Sequence, residues 1–236
     1  MLPKISYPII NIEIGTHKKK FPFRPFLVKE EKILLMAKES ESFSDILTAV
    51  KQIVNNCSLD EKLKIDDLPI FELEYIFIKI RAQSVDNMVQ LIYRDLEDDQ
   101  EYKFNVNLND IKVVGHLDNK AAAIKISNES GILMKPPPAS LYDDKAYLSL
   151  EQDMLFELIV RCVDKIYYKD EVYDAKDYKL EELSEFIEKL DLKTFEKITD
   201  YLTKLPKVEH VITYKNKVGT ERKIVLNSLN DFFTWR

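Results

Sequence analysis

Apolar and polar residues alternate near the start of the chain: Asn11 and Glu13 separate Ile10, Ile12 and Ile14, and Phe21 and Phe23 resume the pattern after residues 15–20. A period of two predicts a β-hairpin with one buried face. Pro22 and Pro25 cannot donate ladder hydrogen bonds, so the second strand is expected to be short or at an edge. Residues 28–40 contain neither Gly nor Pro, and Ile33, Leu34, Met36 and Ala37 recur at helical spacing, which predicts a first helix. Ile46, Leu47, Val50, Ile53, Val54 and Cys57 fall at steps of three and four, with Ser44 as N-cap, and predict an amphipathic second helix. A third is expected to begin near Leu68-Pro69, capped by Asp67, because proline is tolerated in a first turn. Ile70, Leu73, Ile76, Phe77 and Ile80 form its inner stripe, and residues 28–84 read as a three-helix unit.

The period then returns to two. Tyr102, Phe104, Val106 and Leu108 alternate with Lys103, Asn105 and Asn107, opposite Val89, Leu91 and Tyr93, and the acidic tip 95–101 closes a second hairpin. Short strands are expected at 111–114 and 122–126. Residues 127–149, with Pro136-Pro137-Pro138, show no clear period and read as a connection. Residues 149–168 read as one helix, opened by a Ser149 and Gln152 capping box, with Leu155, Leu158, Ile159, Cys162, Val163 and Ile166 on its apolar face. Two more helices carry Leu180, Leu183, Phe186, Ile187 and Leu190, and then Phe195, Ile198, Leu202 and Leu205 up to Pro206. Segments 208–214 and 223–226 flank 216–219 as a closing hairpin. The expected fold is α+β, with helical bundle units and antiparallel β-hairpins. Residues 1–126 would hold the N-terminal hairpin, the three-helix unit and the second hairpin. Residues 127–149 would be the connection, and 150–236 the C-terminal helices and closing hairpin.

Composition narrows the function classes. Of 236 residues, 45% are hydrophobic and 32% charged, the balance of a soluble globular protein with a sizeable core. The 35 Lys and Arg against 41 Asp and Glu leave a net charge of -6, which gives no general attraction to nucleic acid or anionic lipid. The one basic cluster, His17 to Lys20, is too short to change that. No apolar run approaches the roughly 18 residues of a membrane span, and residues 1–20 lack the unbroken apolar stretch of a signal peptide. Neither nucleic acid nor membrane is expected as a partner. Cys57 and Cys162, both within apolar helical patterns, predict a reducing compartment and no disulfide scaffold. Four glycines leave little for glycine-rich phosphate loops.

A search for chemistry returns little. His17, His116, His210, Cys57 and Cys162 share no CxxC or HExxH spacing, so no metal and no cofactor is expected. There is no GxSxG elbow, Walker loop, GxGxxG or EF-hand loop. Carboxylate doublets such as Glu30-Glu31 and Asp98-Asp99 diverge in either a helix or a strand, and read as solvated surface. Two recognition surfaces remain. Phe23, Arg24, Pro25, Phe26 and Lys29 combine the aromatic and arginine types that anchor interfaces; on the opposing reading the phenylalanines plug the core and Arg24 pairs internally with Glu30 or Glu31. Phe232, Phe233 and Trp235 lie near a chain end, where aromatics imply docking on the body or on a partner.

The run Phe23-Arg24-Pro25-Phe26-Leu27-Val28-Lys29-Glu30-Glu31-Lys32-Ile33-Leu34-Leu35-Met36-Ala37 is followed by Leu68-Pro69-Ile70-Phe71-Glu72-Leu73-Glu74-Tyr75-Ile76-Phe77-Ile78-Lys79-Ile80-Arg81-Ala82 and, at the end, Leu229-Asn230-Asp231-Phe232-Phe233. These segments resemble the baseplate hub protein family of T4-like contractile-tailed bacteriophages, which includes hub components and hub assembly factors. The resemblance covers most of the chain. It implies a non-enzymatic tail protein, either an assembly factor (chaperone) or a minor structural subunit of the central hub, that binds other hub or tail proteins. Its place would be the host cytoplasm during assembly, or the baseplate of the virion. Relatives in that family carry cysteine pairs near hairpin tips in the manner of zinc ribbons; residues 95–100 and 215–221 contain none, so no metal role carries over. Two readings from other classes stand beside it. An enzyme with a dispersed active site would show substrate turnover, and a nucleic-acid adaptor derived from a ribbon-like domain would bind DNA tightly and salt-sensitively. Oligomeric state is set by none of these patterns.

Overall fold

The computed structural model describes residues 6–40, 42–84, 87–118, 122–150, 153–227 and 231. Among them are seven α-helices and eleven strands, the strands in small antiparallel sheets, an α+β fold as the patterning predicts. The chain forms two compact units, Met1–Val114 with Lys207–Arg236, and Gly115–Pro206. The second is an insertion in the first. The chain leaves the first unit at Val114 and re-enters at Lys207, and these two residues are partners in an antiparallel ladder.

In the first unit β1 (Ile10–Ile14) pairs with β2 (Lys19–Phe23), and Ile12, Ile14, Phe21 and Phe23 are buried as the alternation predicts. The helices are α1 (Val28–Glu39), α2 (Phe43–Cys57) and α3 (Ile70–Ala82). Ser42, in place of Ser44, caps α2 by accepting the Asp45 N–H, and Pro69, in place of Asp67, is the N-cap residue of α3. Leu47, Val50, Ile53, Val54 and Cys57 of α2 are buried, and so are Phe71, Leu73, Ile76, Phe77, Ile78 and Ile80 of α3. A helix apolar nearly all round belongs in the centre of its unit. α1 is phased differently from its pattern: Glu30, Leu34 and Ala37 point inward, and Met36 points out. The reason is a buried partner for Glu30, described below. β3 (Met88–Arg94) and β4 (Glu101–Asn107) form the second hairpin, and β5 (Lys112–Val114) follows.

The second unit is built on the sheet β6-β7-β8-β9: β6 (Ala123–Lys125), β7 (Ser130–Met134), β8 (Val163–Tyr168) and β9 (Glu171–Asp174). Helices α4 (Lys145–Leu148) and α5 (Met154–Arg161) lie between β7 and β8 in sequence, and α6 (Leu180–Glu188) and α7 (Leu192–Thr203) follow β9. Ile124, Ile132, Ile159, Val160, Cys162, Leu183, Ile187 and Ile198 form one core. Two expectations are corrected here. Residues 149–168 are not one helix: α5 ends at Arg161, and Val163–Tyr168 forms β8, which pairs with β7 and β9. Val163 and Ile166, three apart, extend the helical spacing of α5, and the available strand partners override it. Residues 127–149 likewise contain β7, a central strand whose partners lie on both sides. Its Gly131 permits that closeness, because a Cβ there would collide with the ring end of Tyr167 and the Ile124 carbonyl. Gln152, half of the expected capping box, lies outside the described residues.

β10 (Lys207–Lys215) and β11 (Glu221–Leu226) are the closing hairpin. They belong to the first unit, where β10 lies between β11 and β5. The closing hairpin thus groups with residues 1–114 and not with the helices that precede it in sequence. The pairing of β10 with β5 spans the whole inserted unit, and no local pattern carries that information.

Candidate functional site

The residues Phe23, Arg24, Pro25 and Phe26, expected as a recognition surface, are buried. Phe23 ends β2 with no exposed surface, and Phe26 packs on Phe77 of α3 with ring centroids 5.6 Å apart. Arg24 holds Glu30 in a bidentate pair: Nη1 donates to Oε2 at 3.0 Å and Nη2 to Oε1 at 2.9 Å. The same guanidinium donates to the carbonyls of Pro25 (3.0 Å) and Asn56 (2.8 Å), and Glu30 Oε2 also accepts the Leu27 N–H at 3.0 Å. One cation therefore ties the end of β2, the first turn of α1 and the last turn of α2 together. Burial alone would raise the Glu30 pKa; the hydrogen bonds from Arg24 and Leu27 outweigh it and hold the carboxyl below its ordinary range. Of the expected N-terminal surface residues, only Lys29 is exposed. Phe232, Phe233 and Trp235 lie outside the described residues.

A second polar cluster was not anticipated. The tips of the β3–β4 and β10–β11 hairpins meet, and their side chains interlock. Tyr214 Oη donates to Asp95 Oδ2 at 2.5 Å, and Arg222 Nε lies 3.3 Å from the same oxygen. Asn216 Nδ2 donates to Glu97 at 2.7 Å, and the Lys217 N–H donates to Asp98 at 3.0 Å. Lys217 Nζ reaches Gln100 at 2.7 Å. Beneath these bonds the Tyr214 ring sits 4.8 Å from Tyr102 and 5.1 Å from Phe104 between centroids. The Tyr214 hydrogen bond, followed by the Glu97 N–H and Arg222, holds the Asp95 carboxyl below its ordinary range. Burial and the bond to Asp95 push the Tyr214 hydroxyl up to about 12. These are the tips that lack the cysteine pairs of a zinc ribbon. Here a polar network joins them, and among the described residues no group of three His, Cys, Asp or Glu could hold a metal ion.

Both cysteines are buried, and desolvation pushes each thiol up to about 12. A thiol so far above neutral pH carries almost no thiolate and is a poor nucleophile.

A groove of about 640 Å³ opens in the second unit, between the sheet and α6. Tyr167, Tyr168, Tyr173, Tyr178, Phe186 and Leu190 line much of it, with exposed Glu182 and Lys189 supplying charge. Tyr168 and Tyr178 are 49% and 41% exposed, so their rings are reachable from solvent. Sequence reading missed this site because 149–168 was read as a helix. The available signal was the density of tyrosines from 167 to 178, which β8, β9 and the segment leading into α6 bring to one groove.

A family model described as T4 bacteriophage base plate protein matches residues 7–234, nearly the whole chain. The chain belongs to this family. Searches of curated proteins and of solved structures find no match. As a T4-type base plate protein it is a structural protein of the phage tail, placed in the baseplate among other tail proteins. Its segments 23–37 and 68–82 contribute to the centre of the first unit, through the Arg24 pair and α3. No helix of this base plate protein, among the described residues, is long and apolar enough to cross a membrane.

Proposed function

We infer that the protein works at the central hub of the baseplate, as a minor subunit or as an assembly factor, by binding other tail proteins and without catalysing a reaction. Family membership over residues 7–234 and the resemblance of segments 23–37 and 68–82 to hub proteins support the location. The tyrosine-lined groove of the second unit carries the binding reading. Exposed tyrosines give large rigid contact area with a polar end, the chemistry of interface anchors. Lys29 and the chain end with Phe232, Phe233 and Trp235 are proposed as further contact points. Arg24 is left out, because its donors are engaged inside the fold. Thiols held near 12 favour this reading over an enzyme that uses cysteine.

The test is capture of co-expressed phage tail proteins by tagged wild type, Tyr168→Ala, Tyr178→Ser and a chain shortened by residues 232–236. Reduced capture by the tyrosine variants, with unchanged melting curves, is the expected result; full capture by both overturns the groove as the contact. Mass spectrometry of purified virions separates the two hub roles. A fixed copy number marks a subunit, and absence marks an assembly factor.

A further inference from the structure

α1 has an uncovered face. Val28, Leu35 and Met36 are 75%, 51% and 70% exposed, while Glu30, Leu34 and Ala37 fill the opposite side. Lys32 and Glu39 share the exposed face, and among the described residues neither side chain enters a hydrogen bond or ion pair. The order is Lys32, Leu35, Met36, Glu39. Steps of three, one and three place all four on a single stripe about two turns long. Lys32 and Glu39 stand about 10.5 Å apart along the axis, too far to pair with each other.

This stripe is self-complementary. A half-turn about an axis between Leu35 and Met36 maps it onto itself with the charges exchanged. Lys32 then meets Glu39 of the other copy, Leu35 meets Met36, and the two contacts repeat on the far side of the axis. An antiparallel second copy of the same helix therefore covers both apolar side chains and gives both charges a partner in one contact. We propose that the protein forms a two-fold dimer through α1, with Leu35 and Met36 at its centre and a Lys32–Glu39 pair at each side. Such a contact is isologous, the commonest form of homodimer interface. One helix face is at the small end of specific interfaces, so the dimer is concentration-dependent. It does not depend on the hub reading or on the groove, which belongs to the other unit.

Sedimentation of the full-length protein over a concentration series tests this. Wild type should show a monomer–dimer equilibrium. Lys32→Glu and Glu39→Lys should each raise the dissociation constant roughly tenfold or more, because each sets like charges opposite one another. The double variant Lys32→Glu/Glu39→Lys should return toward wild type, and an equimolar mixture of the two single variants should form a heterodimer. Leu35→Glu should abolish association. All these positions are exposed, so melting curves should stay unchanged. A monomer at every concentration overturns the dimer, and a dimer indifferent to the single reversals, or a double variant no better than either single, overturns this surface. Failure of tail-protein capture, measured separately, bears only on the proposed function.

Discussion

The Arg24–Glu30 pair and the Asp95–Tyr214–Arg222 cluster both tie separate pieces of the first unit together, yet one is sealed in the core and the other lies at two hairpin tips. In the first, partners six residues apart form a single bidentate ion pair, with Glu30 fully buried. In the second, partners 119 residues apart share many single hydrogen bonds, over a layer of rings packed at a tilt. A buried pair is dangerous to break, since the surviving charge has neither water nor partner. A distributed network loses its members one at a time. Losing one half of the first threatens the fold of the unit, whereas losing one member of the second loosens the join between its two hairpins.

The largest expected effect comes from splitting the buried pair. Arg24→Ala or Glu30→Ala should each lower unfolding free energy by about 3 to 5 kcal/mol, and replacing both with apolar residues of similar volume should recover much of that. Chemical denaturation measures it. A loss below about 1 kcal/mol for either single change would mean that Arg24 is not sealed as described.

Tyr214→Phe or Asp95→Asn should lower the melting temperature less than either change at the buried pair. Their signature is local: faster amide exchange at Lys217, whose N–H donates to Asp98 across the tips, with α3 protection unchanged. If α3 amides were exposed as well, the two clusters would be one cooperative unit and the contrast would fail.

The pH response sharpens the distinction. Asp95 and Glu30 are held below their unfolded pKa values, so each contributes stability above the ordinary carboxylate range, and it is lost as pH falls through the depressed folded value. Acid therefore weakens both clusters. Tyr214, raised to about 12 from an ordinary value near 10, contributes stability that is full below 10 and lost as pH rises toward 12. Alkali should thus open the tips and leave the Arg24 pair intact, since Arg24 is held above its ordinary value, first by its bond to Glu30. The difference in ultraviolet tyrosinate titration between wild type and Tyr214→Phe should show one tyrosine ionising near 12.

The smallest effect is expected beside the tip. Arg94 pairs with Asp99 at 2.7 Å, but both side chains are largely exposed, so Arg94→Ala should leave the melting curve unchanged.

How far each cluster could be read beforehand follows from its range. Arg24 and Glu30 sit within one short stretch, and internal pairing was one of two readings that the residues left open. Asp95 and Tyr214 are separated by the entire inserted unit, so neither pattern nor spacing joins them. The tyrosine groove was hidden for a different reason: Val163 and Ile166 continue the three-and-four spacing of Leu155, Leu158, Ile159 and Cys162, so the strand reads as the end of a helix.

Local periodicity by itself determined the hairpins β1–β2, β3–β4 and β10–β11 and the helices α2, α3, α6 and α7. Each buries one face, or nearly all of itself, and burial leaves its period in the residue types. The long motifs were also enough to point to the phage baseplate family. Tertiary structure alone decided that β8 is a strand, that β10 returns to β5, that Glu30 turns α1 inward and leaves Leu35 and Met36 outside, and that two distant tips interlock. Those outcomes depend on which partner is available across a long loop of chain, and partner choice is a property of the packed fold that no single segment carries.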